Sequence, residues 1–380
     1  MKITIAIDSF KGSLTTFEAG NAAAEGIRRV MPDAEITVSP LADGGEGTTE
    51  AIVSALGGRM RELSVTGPLP EKQVYANYGI VESTKTAIIE MSSASGITLV
   101  SESERNPMNT TTFGVGELIL DAVRLGCRSF VVGIGGSATN DGGTGMLSAL
   151  GFEFLDANGN RISLGAKGLS EMCEIRCDKV PPELSECRFK IACDVKNPLC
   201  GSNGCSAIYG PQKGATAENI PLMDKWLDNF ARLTKAVNPN ANPDYPGSGA
   251  AGGMGFACMS YLGGELVSGI DLVMTETRLE DKIRESDLVI TGEGRLDSQS
   301  ANGKAPVGVA RLAKKHNKPV IAFSGIVSED ASACNDAGID AYFPILRRVC
   351  TLSEAMDKEI AAKNLADTAE QVSRLIRTSK

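Results

Sequence analysis

Six stretches of this sequence place carboxylates, lysines, hydroxyls and glycines directly after a predicted strand. They are Asp8-Ser9-Phe10-Lys11-Gly12, Asp43-Gly44-Gly45-Glu46-Gly47, the segment 135–145, Asp194-Val195-Lys196-Asn197, Thr291-Gly292-Glu293-Gly294-Arg295-Leu296-Asp297, and Ser324-Gly325. In open parallel sheets ligands bind outside the carboxyl ends of the strands, so charge gathered at those ends points to a functional cleft. Lysines on flexible stems beside glycine turns suit polyphosphate; Lys11, Lys196, Lys213 and Lys304 are the candidates. Clustered carboxylates suit Mg²⁺, which takes oxygen ligands and usually arrives with nucleotide phosphates. The chain has one histidine, His316, in a polar helix end, so proton transfer falls to carboxylates or lysines.

The densest of these stretches is IGGSATNDGGTGML, residues 134–147. Backbone N–H groups at the start of the following apolar segment favour a phosphate or carboxylate. A tight strand-to-helix turn, with glycine serving geometry alone, is the competing reading. The loop lacks GxxxxGK[ST], and Gly133-Ile134-Gly135 does not continue into GxGxxG, which disfavours a P-loop NTPase and a Rossmann dehydrogenase.

The elements that must carry these groups alternate. KITIAI (2–7) reads as a strand and TTFEAGNAAAEGIRRVM as a helix opened by a Thr15/Glu18 capping box. EITVSPL is a second strand. Near the C-terminus SDLVITGEG, KPVIAFSGI and DAYFPI read as strands around the helix GKAPVGVARLAKKH, and a long helix over 353–377 closes the chain with Met356, Ile360, Val372, Leu375 and Ile376 at core positions. Strands apolar on both faces, alternating with helices, predict a parallel sheet under helices. The middle differs: KQVYANYGIV and KTAIIEMSS are short strands, TTTFGVGELILDAVRLG is a helix, and FEFLDANGNRI is a hairpin around Asn158-Gly159. Residues 238–255 form a long Pro/Gly/Asn loop. The expected architecture is α/β: a flavodoxin-like parallel-sheet domain from residues 1–63 and 278–380, interrupted by a second α/β domain at 64–277, with ligand in the interdomain cleft.

Composition narrows the partners. A net charge of −9 without a basic run excludes a nucleic-acid face. No signal peptide or membrane span is present, which predicts a cytoplasmic protein, and ten cysteines without zinc spacing read as ordinary thiols. The 42 glycines cluster at 44–47, 133–145, 247–269 and 292–294, marking defined turns instead of a flexible tract.

The strings DSFKGSLT, LADGGEGT, GGSATNDGGTGML, CDVKNPLCG, YGPQKGAT, GAAGGMGF and TGEGRLDSQSANGKAP resemble, in order, those of the type I glycerate kinases. The resemblance runs from Ile3 to about Ile345, and above all to bacterial enzymes of glyoxylate and sugar-acid breakdown. It implies a flavodoxin-like domain interrupted by a second α/β domain, an active site between them, and ATP- and Mg²⁺-dependent phosphorylation of D-glycerate. The implied product is 2-phosphoglycerate, with 3-phosphoglycerate as the other outcome; whether the protein is a monomer or a homo-oligomer stays open.

Roles are assigned to residues on chemical grounds. Arg295 or Lys11 clamps the substrate carboxylate, with Ser9, Asp8 and Asn140 beside it, and Asp194 accepts the hydroxyl proton. Gly135, Gly136, Ser137, Gly142, Gly143, Thr144, Lys213 and Lys304 hold phosphates. Asp43, Glu293 and Asp297 organise Mg²⁺, with Asp141 in reserve as a metal or substrate contact. A sensor binding a small phosphorylated acid is the alternative from another class, and a glycerate dehydrogenase is disfavoured by the missing dinucleotide fingerprint.

Overall fold

The computed structural model describes residues 1–45, 47–301 and 303–378; Glu46, in the loop after the second strand, lies outside them. Internal contacts divide the chain into two units, residues 1–43 with 270–380, and residues 44–269. Both boundaries fall earlier than 63/64 and 277/278. The strand Arg59–Thr66 pairs with Gln73–Val81 through the turn 67–72, which commits it to the second unit. The side chains of Ile270 and Met274 pack in the core of the first.

The first unit is a five-stranded, wholly parallel sheet. From one edge to the other its strands are Ala341–Pro344, Val320–Val327, Leu288–Leu296, Lys2–Ile7 and Glu35–Val38, the flavodoxin-like order. Side chains alternate across a strand, so each strand feeds two apolar layers. Ile3, Ile5 and Ile7 enter the layer under helices Thr16–Arg28 and Lys358–Thr378. Ala6, Val289 and Ala322 enter the opposite layer, under helix Ala305–Lys315. The Thr15/Glu18 capping box is present: Thr15 Oγ1 accepts the Glu18 N–H, and Glu18 accepts the Thr15 N–H.

The C-terminal helix departs from expectation. It is two helices, Leu352–Met356 and Lys358–Thr378, because the Asp357 carboxylate accepts the Ile360 N–H and starts a new helix. The buried face is therefore Ala361, Leu365, Ala366, Ala369 and Val372. Ile376 packs at its margin, whereas Met356, Ile360 and Leu375 are exposed.

The second unit holds a six-stranded mixed sheet in the order Glu265–Val267, Arg188–Ala192, Ser129–Gly133, Thr86–Glu90, Gln73–Val81, Arg59–Thr66. Its first four strands are parallel and the last two antiparallel. The expected turn at Asn158-Gly159 forms, with Gly159 at positive φ and Leu155 bridged to Arg161. The strand Glu153–Leu155, however, takes Glu174–Arg176 as its ladder partner. Among the described residues no helix is long and apolar enough to cross a membrane, and all ten cysteines are free.

The contact between helices Thr16–Arg28 and Lys358–Thr378 turns on Gly26. A Cβ there would lie 1.9 Å from the Ala366 carbonyl oxygen. Helix propensity favours alanine over glycine by about 1 kcal/mol, but a backbone oxygen cannot rotate away and overpacking costs about 1–3 kcal/mol. Gly26→Ala is expected to lower the thermal midpoint by several degrees; an unchanged or higher midpoint in a calorimetric scan would contradict this packing.

Candidate active site

The first unit reverses its strand order between Lys2–Ile7 and Leu288–Leu296, the place where a ligand crevice opens in such sheets. Pairing runs from Ile3 opposite Leu288 to Ile7 opposite Gly292, and continues as the Asp8 N–H donates to the Gly292 carbonyl at 2.9 Å. A cavity of about 390 Å³ opens here. Asp8, Ser9, Lys11, Asp43, Glu293, Arg295 and Lys304 line it, so seven of the residues singled out from sequence converge, and all belong to the first unit.

Like charge dominates the floor. Asp8 is 6% exposed, and burial, then the nearby Asp43, push its carboxyl from 3.8 up to about 7 against the Ser9 N–H bond. Burial likewise raises Glu293, while the Ser300 hydroxyl, which donates to it, and Lys304 oppose the rise. Lys11 answers part of this charge, its Nζ lying 3.0 Å from Asp43 Oδ2. Burial works against the ammonium, but Asp43, Asp8 and Glu293 more than offset it and hold Lys11 above the usual lysine range. Two further cations stand at the rim: Arg295, with Nε 3.3 Å from Ser328 Oγ, and Lys304. Lys304 is the N-cap of helix Ala305–Lys315, and Ala305 also lines the cavity, so a helix start faces it.

Glu293 and Arg295 sit inside the strand Leu288–Leu296, not in a loop after it; two residues apart they share a face, and Glu293 is buried while Arg295, nearer the strand end, is exposed. Asp297 does not line the cavity. Its Oδ1 accepts the N–H groups of Gln299 and Ser300 and starts the short helix Ser298–Ala301, and its Oδ2 lies 3.4 Å from Arg295 Nε, so both oxygens have protein partners and it leaves the proposed metal set. Among the described residues no three His, Cys, Asp or Glu side chains form a metal-ligating group.

The glycine loop of the second unit holds an anion of its own. Asp141 is fully buried and accepts the N–H groups of Thr112 (2.8 Å), Gly143 (3.0 Å) and Gly145 (3.3 Å) and the Thr112 hydroxyl (2.9 Å). The donors expected to cradle phosphate thus serve an internal carboxylate. Gly142 donates to the Gly252 carbonyl, and the Thr144 hydroxyl donates to the Asp141 carbonyl. Gly142, Gly143 and Thr144 are buried, which corrects their assignment to a phosphate site. Asn140 is equally enclosed, its Nδ2 donating to Ser206 Oγ, so it is no substrate contact.

The GAAGGMG string closes over this loop: helix Ala250–Leu262 starts with Ala251, Gly252 and Gly253 at positive φ, and a Cβ on Gly252 would lie 2.1 Å from the Thr139 carbonyl. Lys213 is 2% exposed and donates to Ser137 Oγ at 2.8 Å and the Thr139 carbonyl at 2.6 Å. Burial lowers it to about 8, and its bonds make it a pin for the loop, not a phosphate ligand. Only Gly135 and Gly136 of the loop are exposed. Asp194, also in the second unit, is exposed, and its Oδ1 accepts the Gly269 N–H at 3.0 Å.

Sequence reasoning missed the apolar side of the cavity: Phe10, Ile326, Ile345, Leu346, Leu352, Ala355 and Met356. Their spacing follows no motif, and Met356 read as core. His316 ends helix Ala305–Lys315 as expected, its Nε2 2.8 Å from Glu280.

Residues 3–377 match the model of the glycerate kinase family. The chain is 50% identical to the glycerate 2-kinase of Escherichia coli K12 over 93% of each chain. It is 44% identical to the glycerate kinase of Bacillus subtilis 168, covering 100% of this chain and 99% of the relative. A crystal structure assigned to glycerate kinase 2 of Salmonella typhimurium LT2 superposes with a TM-score of 0.92 at 44% identity, over 100% of this chain and 99% of that one.

The raised Asp8 carboxyl has a stability consequence. Its folded value near 7 exceeds the ordinary 3.8, so the folded state binds the extra proton between them. Stability held below pH 4 is lost as pH rises through 7. Asp8→Asn keeps an oxygen for the Ser9 N–H and never ionises. Without ligand, it is expected to match wild type near pH 4, gain on it up to pH 7, and level off at a few kcal/mol, at ~1.4 kcal/mol per unit. Thermal scans across pH check this; a pH-independent difference would remove the electrostatic cause.

Proposed function

The chain belongs to the glycerate kinase family, and on that footing we propose that it transfers the terminal phosphoryl group of ATP to D-glycerate, giving 2-phosphoglycerate in glyoxylate and sugar-acid breakdown. The observation that carries this reading is one cavity at the strand-order reversal where Asp8, Asp43 and Glu293 meet Lys11, Arg295 and Lys304. Phosphoryl transfer asks a protein chiefly to position two partners and to neutralise charge, and this set of groups is suited to both.

The donor set fits Mg²⁺ of a particular kind. Asp8, Asp43 and Glu293 offer oxygen alone, without the grouping of a protein-built cage. Mg²⁺ keeps several waters and takes one or two carboxylates plus substrate phosphates. Asp8, Asp43 and Glu293 are the residues to hold such an ion; Asp297 is engaged by its helix start and by Arg295. When bound, the ion supplies charge neutralisation on the phosphates. Lys304 and the adjoining helix start orient a phosphate, and Lys11 or Arg295 pairs with the carboxylate of the acid. Exposed Gly135 and Gly136 are the members of the glycine loop that retain a proposed phosphate role.

Asp194 is proposed as proton acceptor: it follows the parallel strand Arg188–Ala192, and the Gly269 N–H fixes one of its oxygens. A sensor reading loses its ground, since the family is one of kinases and a binding protein has no need of such a gathering of carboxylates.

D-glycerate-dependent ADP release with ATP and Mg²⁺, with phosphorus NMR of the product, tests the reaction. A signal of 2-phosphoglycerate is expected; the 3-isomer would overturn the regiochemistry, and absence of turnover the reaction itself. Asp194→Asn retains the oxygen that Gly269 contacts, so it is expected to fold normally and lose at least about 100-fold in kcat. Near-wild-type turnover by this variant would end its assignment.

A further inference from the structure

The cavity has a half that a three-carbon acid does not use. Besides the charged groups, Phe10, Ile326, Ile345, Leu346, Leu352 and Met356 line the cavity and give it an apolar wall. Ile326 is 45% exposed, Leu352 67% and Met356 38%, so the outer edge of this wall stands in water. Apolar side chains held at the mouth of a pocket mark a surface kept for a ligand. Glycerate has almost no apolar area to cover them, and a cavity of about 390 Å³ is several times what it fills.

The backbone beside the wall is also uncommitted. Among the described residues, 346–350 make no backbone hydrogen bond, although Arg347 and Arg348 are fixed by ion pairs to Asp367 and Glu354. Loops near a binding site often keep such amides and carbonyls for a ligand. A planar group with an apolar face and a rim of donors and acceptors matches both features; a nucleotide base is such a group. Polarity along the cavity agrees, since Lys304 and the helix start at Ala305 lie in the same cavity and suit the phosphates of the same molecule.

Resting on the reading that a nucleotide is the phosphoryl donor, we propose that the wall of Ile326, Leu346, Leu352 and Met356, with the free backbone at Leu346, is the site for the purine base. Leu352 and Met356 come from the short helix Leu352–Met356, so the Asp357 cap that ends it also positions the base.

The double variant Leu352→Ser/Met356→Ser, and separately Ile326→Ser on a different element, remove apolar contact at exposed positions that the core does not need. Titration calorimetry with Mg²⁺ compares ADP with inorganic tripolyphosphate, which has no base. Both variants are expected to weaken ADP by about tenfold or more and leave tripolyphosphate within twofold, with KM for D-glycerate unmoved. Unchanged ADP affinity, equal weakening of both probes, or a raised glycerate KM with ADP unaffected overturns the assignment. Wild-type protein that binds no ADP overturns the donor reading along with it, whereas ADP binding without glycerate turnover leaves the base site standing and removes only the acceptor.

Discussion

The pairing of the N-terminal strand with the strand that succeeds the second unit is the constraint on which the site depends. Lys2–Ile7 and Leu288–Leu296 are remote in sequence, yet they run side by side in parallel at the centre of the sheet. That pairing sets Asp8 next to Gly292 and brings Glu293 and Arg295 around the same cavity. Neither strand alone carries a site. Such non-local parallel pairing is costly in chain entropy before its contacts form. The apolar layers on both faces of these strands, Ile3, Ile5 and Ile7 on one and Ala6 and Val289 on the other, supply the compensating burial.

Two kinds of buried charge serve different ends in the two units. In the second unit, Asp141 and Lys213 are spent inside: each satisfies backbone or hydroxyl groups of one glycine-rich turn and fixes its shape. In the first unit, Asp8 and Glu293 sit close together, with Lys11 nearest Asp43, so much of their charge is unanswered by the protein. Burial raises all three carboxyls, so pairing and place separate them: Asp141 is held by backbone N–H groups inside the fold, whereas Asp8 and Glu293 line a cavity where a ligand can meet them. This contrast separates the two glycine-rich regions more sharply than their compositions do.

Much of the first unit is readable from residue order. Strands apolar on both faces predict the parallel sheet, and the Thr15/Glu18 pair locates a helix start, because both signals are local. Charge and hydroxyls gathered near predicted strand ends mark most of the polar lining of the cavity, with Lys304 added by its glycine-flanked loop. Direction is what residue order hides. Gly142, Gly143 and Thr144 look like a phosphate cradle in sequence, but whether amides face solvent or an internal carboxylate is decided by packing from Thr112 and Gly252, distant residues without a spacing rule. Asp297 fails for the opposite reason: a local helix start claims an oxygen that its place after a strand had suggested for metal. The apolar wall is unreadable because Ile326 and Met356 obey ordinary core periodicity and only their exposure betrays them.

The charge arrangement also constrains what can occupy the cavity. Three carboxylates repel a bare polyphosphate, and Lys11, already bound to Asp43, cannot alone reverse that field. A free divalent cation would satisfy the carboxylates but leave Arg295 and Lys304 sharing the single carboxylate of Asp297, 3.4 and 4.0 Å away. A small acid alone would answer one cation and add to the repulsion at the floor. The metal-bound polyphosphate and acid of the proposed reaction carry both signs and would complement the carboxylates and the cations together. That charge pattern comes from the parallel pairing of two strands, which sets Asp8, just past the end of one, beside Glu293 within the other.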